Sequence, residues 1–246
     1  VNQMSEIVDP SKRYVRREEL FRNDRTTIYR AIDKIEGTEI LWHELSIETR
    51  NSMDENLRTE IMSLGKIKHP NLIELIHAWI DKSRHICFIL TEFFANHTLS
   101  SYIQKLGHNI SKTAIGNWCA QIMDPLELLH SLIPAFVHGD VRCENIYIDP
   151  SEGIVKLGLP DFDTFFSREV KPLQSPEAQK LVVVPKNDVW SLGMAVLEMA
   201  TGKKPYSDIT SEAQLRQTII DRKSPPEFLL IDEPVMADFI QICLLP

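Results

Sequence analysis

The chain has little of what would tie it to a membrane, a nucleic acid or an oxidising compartment. Its four cysteines, Cys87, Cys119, Cys143 and Cys243, are scattered, with no C-x-x-C pair. Neither a zinc site nor a disulfide framework is expected from them, and reduced thiols are. No run of about 18 uninterrupted apolar residues occurs, so no membrane span is expected. The first residues include Glu6 and Asp9 and lack the charged start and apolar run of a signal peptide. These absences point to the cytoplasm, with the nucleus left open. Positive charge is sparse: 27 Lys and Arg against 35 Asp and Glu give a net charge of −8 at pH 7. The one dense basic run is Lys12, Arg13, Arg16 and Arg17, which reads as a solvated extension. That balance argues against nucleic acid as the main partner, because phosphate binding needs clustered cations. Repeats and low-complexity tracts are also missing.

What is there suffices for one large domain or two small lobes: 246 residues, 43% of them hydrophobic. The first third is strand-like. Residues 27–32 and 38–43 flank a turn holding Glu36-Gly37 and read as a hairpin. Met53, Leu57, Ile61 and Leu64 then fall on one helical face, and His69-Pro70-Asn71 ends that helix. Short apolar runs at 72–79 and 86–91 read as two more strands. The remainder is helical. Ile115, Trp118, Cys119, Ile122, Leu126 and Leu129 mark a long amphipathic helix that Pro125 is expected to kink. Residues 146–148 and 154–157 form a second small hairpin around Pro150-Ser151-Glu152-Gly153. Residues 189–200 are apolar almost all round, as a buried central helix is. Further helices are expected near 211–222 and 235–244.

Chemistry enters at His138-Gly139-Asp140-Val141-Arg142-Cys143-Glu144-Asn145. This run resembles the protein-kinase catalytic loop H-R-D-x-x-x-x-N, in which the aspartate accepts the substrate hydroxyl proton and the asparagine holds magnesium. Other kinase-like motifs follow the family's order. Glu60 precedes His69-Pro70-Asn71 at the spacing of the helix-C glutamate. Thr91-Glu92-Phe93 resembles the gatekeeper and hinge, Ser175-Pro176-Glu177 stands for A-P-E, and Asp188-Val189-Trp190-Ser191-Leu192-Gly193 resembles the start of the buried helix F. The resemblance covers residues 17 to 246. Within kinases it is nearest to the with-no-lysine group and the related nuclear receptor-binding protein family of pseudokinases. Residues 40–45, 118–122 and 193–200 carry that likeness, together with Gly139 after the catalytic-loop histidine.

The departures from the family pattern are as telling. The glycine-rich loop falls on Phe21-Arg22-Asn23-Asp24-Arg25-Thr26 and contains no glycine. Side chains there would obstruct the phosphates, and Asp24 would repel them. The strand-3 lysine is His43, neutral at pH 7 unless Glu60 pairs with it and raises its pKa. With-no-lysine kinases compensate with a lysine in the glycine loop, but the corresponding position is Thr26, beside Arg25. The metal-binding aspartate of D-F-G is Leu159, which offers a hard cation no oxygen, while Asp161 lies two residues late. Leu41 and Tyr147 crowd the adenine position. Gly139 replaces the arginine that reads a phosphorylated activation loop, and Arg142 stands for the lysine that aids transfer. The family partner of Glu177 lies beyond Pro246.

The expected fold is therefore α+β and bilobal, protein-kinase-like. After an N-terminal extension (1–16), a small antiparallel-sheet lobe with helix C (about 17–91) leads through a hinge near 92–95 to a large helical lobe (about 95–246) lacking its last helices. The resemblance implies a catalytically inactive pseudokinase: not an enzyme, with vestigial Asp140, Asn145 and Glu60 and a degenerate ATP site at His43, Leu41, Thr91, Tyr147 and Leu159. ATP and magnesium binding are expected to be absent or very weak, with no metal site. Its role would be that of a signalling adaptor. Implied partners are signalling proteins, among them with-no-lysine kinases, their regulators and ubiquitin-ligase components, met through residues 211–222 or around Phe162, Phe165 and Phe166. The alternatives are a weak, unconventional Ser/Thr kinase with Asp140 as base, Asn145 and Asp161 for magnesium and Arg25 for phosphate, or a nucleotide-binding switch without transfer.

Overall fold

A computed structural model describes residues 9–47, 61, 63–94, 97–107, 110–160, 173–180 and 184–245. Most of the expected helix C, Glu60 included, and residues 161–172 lie outside the described residues. The chain divides into two compact units, Val1–Lys68 with Glu74–Phe93, and His69–Ile73 with Phe94–Pro246. The first is built on an antiparallel sheet and the second is mainly helical, the α+β organisation expected of a bilobal kinase-like fold.

Five strands make the first unit's sheet: β1 (Tyr14–Arg22), β2 (Thr26–Asp33), β3 (Glu39–Ser46), β4 (Leu75–Asp81) and β5 (Ile86–Glu92), in the order β1-β2-β3-β5-β4. β1 begins at Tyr14, inside the stretch read as an extension, because Asp9 and Arg13 fix its start. The Asp9 carboxylate accepts from the Tyr14 N–H at 3.0 Å, and Arg13 grips the buried Asp33 of β2 at 2.8 and 2.9 Å. Alternation then sorts side chains to the two faces. One face gathers Tyr14, Ala31, Ile40, Trp42, Phe88 and Leu90 into a core. There Trp42 meets Trp79 edge-on at 5.1 Å, and Trp79 stacks on Phe88 at 4.8 Å. Such aromatic pairs add about 0.5–1.5 kcal/mol beyond the area they bury. The other face carries Leu41, His43, Ile89 and Thr91, since Leu41 pairs with Thr91 and His43 with Ile89 across the β3–β5 ladder.

In the second unit, α1 (Leu99–Leu106) and α2 (Lys112–Ser131) each start at a hydroxyl cap, Thr98 accepting from Ser101 N and Ser111 from Ala114 N. α2 runs unbroken through Pro125; the proline removes one helical N–H without ending the helix. A two-stranded hairpin, β6 (Ile146–Asp149) and β7 (Ile154–Leu157), follows the catalytic loop. Asn71 ties this hairpin to α2: its amide donates to Val155 O at 2.8 Å and to the Gln121 side chain at 3.0 Å. α3 (Lys186–Thr201) is the central helix, buried along most of its length. α4 (Glu212–Ile220) and α5 (Pro234–Leu244) complete the unit, close to the spans expected from periodicity. Among the described residues no helix is long and apolar enough to cross a membrane.

Candidate active site

The residues read from the sequence as site residues fall in both units. In the first unit the β1–β2 connection is a tight turn organised by Asn23. Its side-chain oxygen accepts from the N–H groups of Arg25 (2.9 Å) and Thr26 (2.6 Å), and its own N–H donates to Thr26 O at 2.9 Å. A glycine loop would offer such N–H groups to phosphates. Here Asn23 already uses two of them, with Asp24 exposed at the tip.

His43 is 7% exposed, and its Nε2 lies 3.2 Å from the Thr91 hydroxyl. Burial pushes its pKa down to about 4. The partner expected to raise this value, Glu60, lies outside the described residues; within the described surroundings burial lowers it, because losing water penalises the cation. A neutral imidazole bonded to a threonine supplies no charge for a phosphate. Leu41 is half-buried beside Thr91 on the same face.

In the second unit the catalytic loop is held at several points. Asp140 is 11% exposed on its side chain and its Oδ1 receives Arg142 Nε at 2.7 Å. Asn145 closes the loop: Nδ2 donates to Asp140 O at 3.0 Å and to Leu159 O at 2.8 Å, while its carbonyl accepts from Gly158 N at 2.8 Å. Gly158 is required at this close approach, since a Cβ there would sit 2.1 Å from Asn145 Oδ1. His138 is fully buried; Nε2 lies 3.1 Å from Gly158 O, and Nδ1 accepts from Asp140 N at 3.3 Å. Accepting at Nδ1 places the proton on Nε2. Gly139 has φ 76, a left-handed conformation that costs glycine nothing and the arginine of the family pattern more.

Around the loop lie buried groups that spacing alone does not disclose. The Asp188 carboxylate, at the start of α3, accepts from His138 N and Gly139 N, each at 2.8 Å, and faces His130 Nε2 at 2.7 Å. Glu144 pairs with Lys204 at 2.5 Å; burial, the largest single influence, pushes its carboxyl up, but the Lys204 hydrogen bond, a backbone hydrogen bond and the charges of Lys204 and Arg142 together outweigh it and the net shift is down. Burial, reinforced by the Glu144 charge, raises the pKa of Glu198. Glu177 pairs with Arg222. That partner sits 45 residues away in sequence, and no local pattern announced it.

The donor set for magnesium is thin. Among the described residues no cluster of three or more His, Cys, Asp or Glu could hold a metal ion. The Leu159 side chain has no oxygen and its carbonyl already accepts from Asn145, Asp140 is engaged by Arg142, and Asp161 lies outside the described residues. Among the described residues, these side chains do not by themselves fit the ion. Tyr147, half-buried on β6, has its hydroxyl pKa raised by burial.

With this geometry in view, similarity to known proteins decides the family. A protein kinase domain model matches residues 22–245. The chain belongs to the protein kinase domain family. Serine/threonine-protein kinase WNK8 of Arabidopsis thaliana is 32% identical over 256 residues, covering 97% of this chain and 44% of that protein. Probable serine/threonine-protein kinase WNK10 of the same plant is 31% identical, covering 97% of this chain and 47% of that protein. Probable serine/threonine-protein kinase WNK9 of Oryza sativa subsp. japonica is 32% identical over 249 residues, with coverage of 97% and 60%. The chain thus spans about half the length of these curated relatives. Their names overturn the expectation that the kinase domain here is not an enzyme. Reading inactivity from missing glycines, lysine and aspartate gave those positions more weight than the retained loop around Asp140, while relatives matching nearly the whole chain are named as kinases.

Proposed function

We propose that this chain is the catalytic domain of an unconventional serine/threonine protein kinase that transfers phosphoryl groups slowly and holds its nucleotide weakly. The observation that carries the reading is the ordered catalytic loop: Asp140 partly enclosed, Arg142 against its carboxylate, and Asn145 bridging Asp140 O to Leu159 O. The names of the relatives support the same class.

In this reaction a serine or threonine hydroxyl attacks the terminal phosphoryl group of a nucleoside triphosphate. Its proton passes to the Asp140 carboxylate as the new O–P bond forms and the diphosphate leaves. Arg142, about half-exposed, keeps that carboxylate oriented and places positive charge beside it. Such general-base assistance contributes about 10²–10⁴-fold. Weak nucleotide binding follows from the neutral His43, from the two turn N–H groups taken by Asn23, and from Leu159 in place of a metal ligand. The bulk of Leu41 and Tyr147 acts in the same direction.

Partners belong to this proposal too. As a signalling kinase domain, the chain would engage signalling proteins through the largely exposed α4 helix, with-no-lysine kinases, their regulators and ubiquitin-ligase components being the candidates that the resemblance implies. The narrower likeness to the nuclear receptor-binding proteins rests on Gly139 and the strand-3 pattern around His43.

The test is phosphotransfer from radiolabelled ATP to a mixture of serine- and threonine-containing peptides, with the wild-type chain and Asp140→Asn in parallel. Incorporation that falls by about a hundredfold or more in the variant is expected. Wild-type incorporation no greater than that of Asp140→Asn would overturn the proposal.

A further inference from the structure

On the sheet face that carries Trp42, opposite to that of His43 and Thr91, one tyrosine sits between two arginines. The Tyr29 ring is half-buried and packs against the aromatic core, while its hydroxyl accepts from Arg22 Nη2 at 3.1 Å. The Arg16 guanidinium carbon lies 4.3 Å from the centre of the same ring. Both arginines belong to β1, an edge strand of the sheet. Its register against β2 shifts between Arg16 and Glu19 and again between Glu19 and Phe21, each time with one extra residue on β1. Such bulges re-aim side chains, and here the arginines on either side of them reach one tyrosine. Arg22 also grips Glu19, through Nε at 3.0 Å and Nη2 at 2.6 Å, and Arg16 pairs with Glu44. The hydroxyl end of the cluster is open to water, Arg22 being 57% and Glu19 42% exposed.

We propose that Tyr29 is a tyrosine-phosphorylation site whose phosphate is gripped within the chain by Arg22, with Arg16 holding the ring. In the modifying step Tyr29 Oη attacks the terminal phosphorus of ATP bound to a separate protein tyrosine kinase. The new O–P bond forms as the bond to the bridging oxygen breaks, ADP leaves, and the phenol proton passes to that enzyme's base. An edge strand opens more readily than the middle of a sheet, which gives such an enzyme its access. The product carries a charge of about −1.5 to −2 and three strong acceptor oxygens. Arg22 already donates to the atom that receives them, and a guanidinium can offer a phosphate two parallel N–H groups. Glu19 is the partner displaced. It lies directly across the ladder from Tyr29, where a carboxylate facing a phosphate is repelled, and its single charge is the weaker rival for Arg22. Arg16 keeps Glu44 and its cation–π contact with the ring. Phosphorylation therefore replaces a pair internal to β1 with one that ties β1 to β2, next to the Asn23 turn.

The test treats the whole folded chain with a broad-specificity tyrosine kinase and ATP, locates the phosphate by mass spectrometry and titrates it by phosphorus NMR. Because the modifying enzyme is supplied, the result does not depend on any activity of this chain. Tyr29 should be modified in the folded protein, and Tyr29→Phe should lose that incorporation. The second pKa of a phosphorylated side chain is ordinarily about 6, and two nearby cations should lower it here by about one unit. Arg22→Gln should return it to about 6, and Arg16→Gln should move it by less than half as far. Glu19→Gln should lower it further, since the competing carboxylate is gone. Modification of Tyr29 only after unfolding in urea would overturn the site. A phosphate that titrates near 6 in wild type and Arg22→Gln alike would overturn the grip, and with it the proposal.

Discussion

The β1–β3 region of the sheet unit and the catalytic loop of the helical unit have diverged to different degrees from the kinase pattern. In the sheet, the parts that would meet phosphates are rebuilt: Asn23 occupies the turn N–H groups, and His43 turns a neutral, buried imidazole toward Thr91. In the loop, the hydrogen bonds that give it shape are in place, from Asp188, His138 and Asn145. The difference lies in what each region asks of its residues. A phosphate cradle depends on an absence of side chains and on one free cation, both of which single substitutions remove. The loop depends on several buried polar groups that satisfy one another, and removing any of them leaves an unpaired partner.

The contrast can be strained at several points. The largest expected effect on stability comes from Gly158→Ala. Its Cβ would meet Asn145 Oδ1 at 2.1 Å and the Asn145 carbonyl at 2.8 Å, so Asn145 must give up its bridge. A loss of about 1–3 kcal/mol is expected, read as a lower urea midpoint, with phosphotransfer lost as well. Gly153→Ala, a surface-turn control with open space around it, strains only its own backbone and should leave phosphotransfer intact.

A comparable effect is reached by acid through His43. Its folded pKa of about 4 lies below the ordinary value of 6.5, so between these values the unfolded chain binds the extra proton. Stability is then full above about pH 6.5 and declines as pH falls toward 4, by up to about 1.4 kcal/mol per pH unit. In His43→Leu this component should vanish, and urea midpoints measured from pH 7 to 4.5 should show a shallower slope than in the wild type. Equal slopes would mean that His43 is not buried as described.

The smallest effect belongs to the surface. Arg222→Ala breaks the pair with Glu177, whose side chains are 36% and 29% exposed. Solvent screening limits the loss to about 1 kcal/mol or less, and it should shrink further in 0.5 M salt, a difference that thermal melts in low and high salt would show.

Much of the fold was legible in the sequence, for local reasons. The β2–β3 hairpin followed from alternation around Glu36-Gly37, α2 from its apolar spacing, and α3 from being apolar all round. The catalytic loop was legible because its residues are contiguous. What escaped was long-range. The contact of His130 with Asp188 spans 58 residues and that of Arg222 with Glu177 spans 45; neither side chain carries a local signature. Asn23 escaped for another reason. The missing glycines drew attention, whereas the same residues form an Asx turn that stabilises a different loop. The sign of the His43 shift required knowing its burial. Inactivity was over-read because lost motif residues are easy to count, whereas the hydrogen bonds around Asp140 emerge only once the chain is folded.

The most direct test of a working loop combined with weak nucleotide binding is a steady-state titration of ATP, with phosphotransfer followed in wild type and Asp140→Asn. A wild-type KM near or above 1 mM is expected, the weak end of the usual range, with kcat about a hundredfold lower in Asp140→Asn at unchanged KM. Transfer that saturates at micromolar ATP would contradict the weakened site, and transfer indistinguishable from Asp140→Asn at every ATP concentration would contradict the working loop.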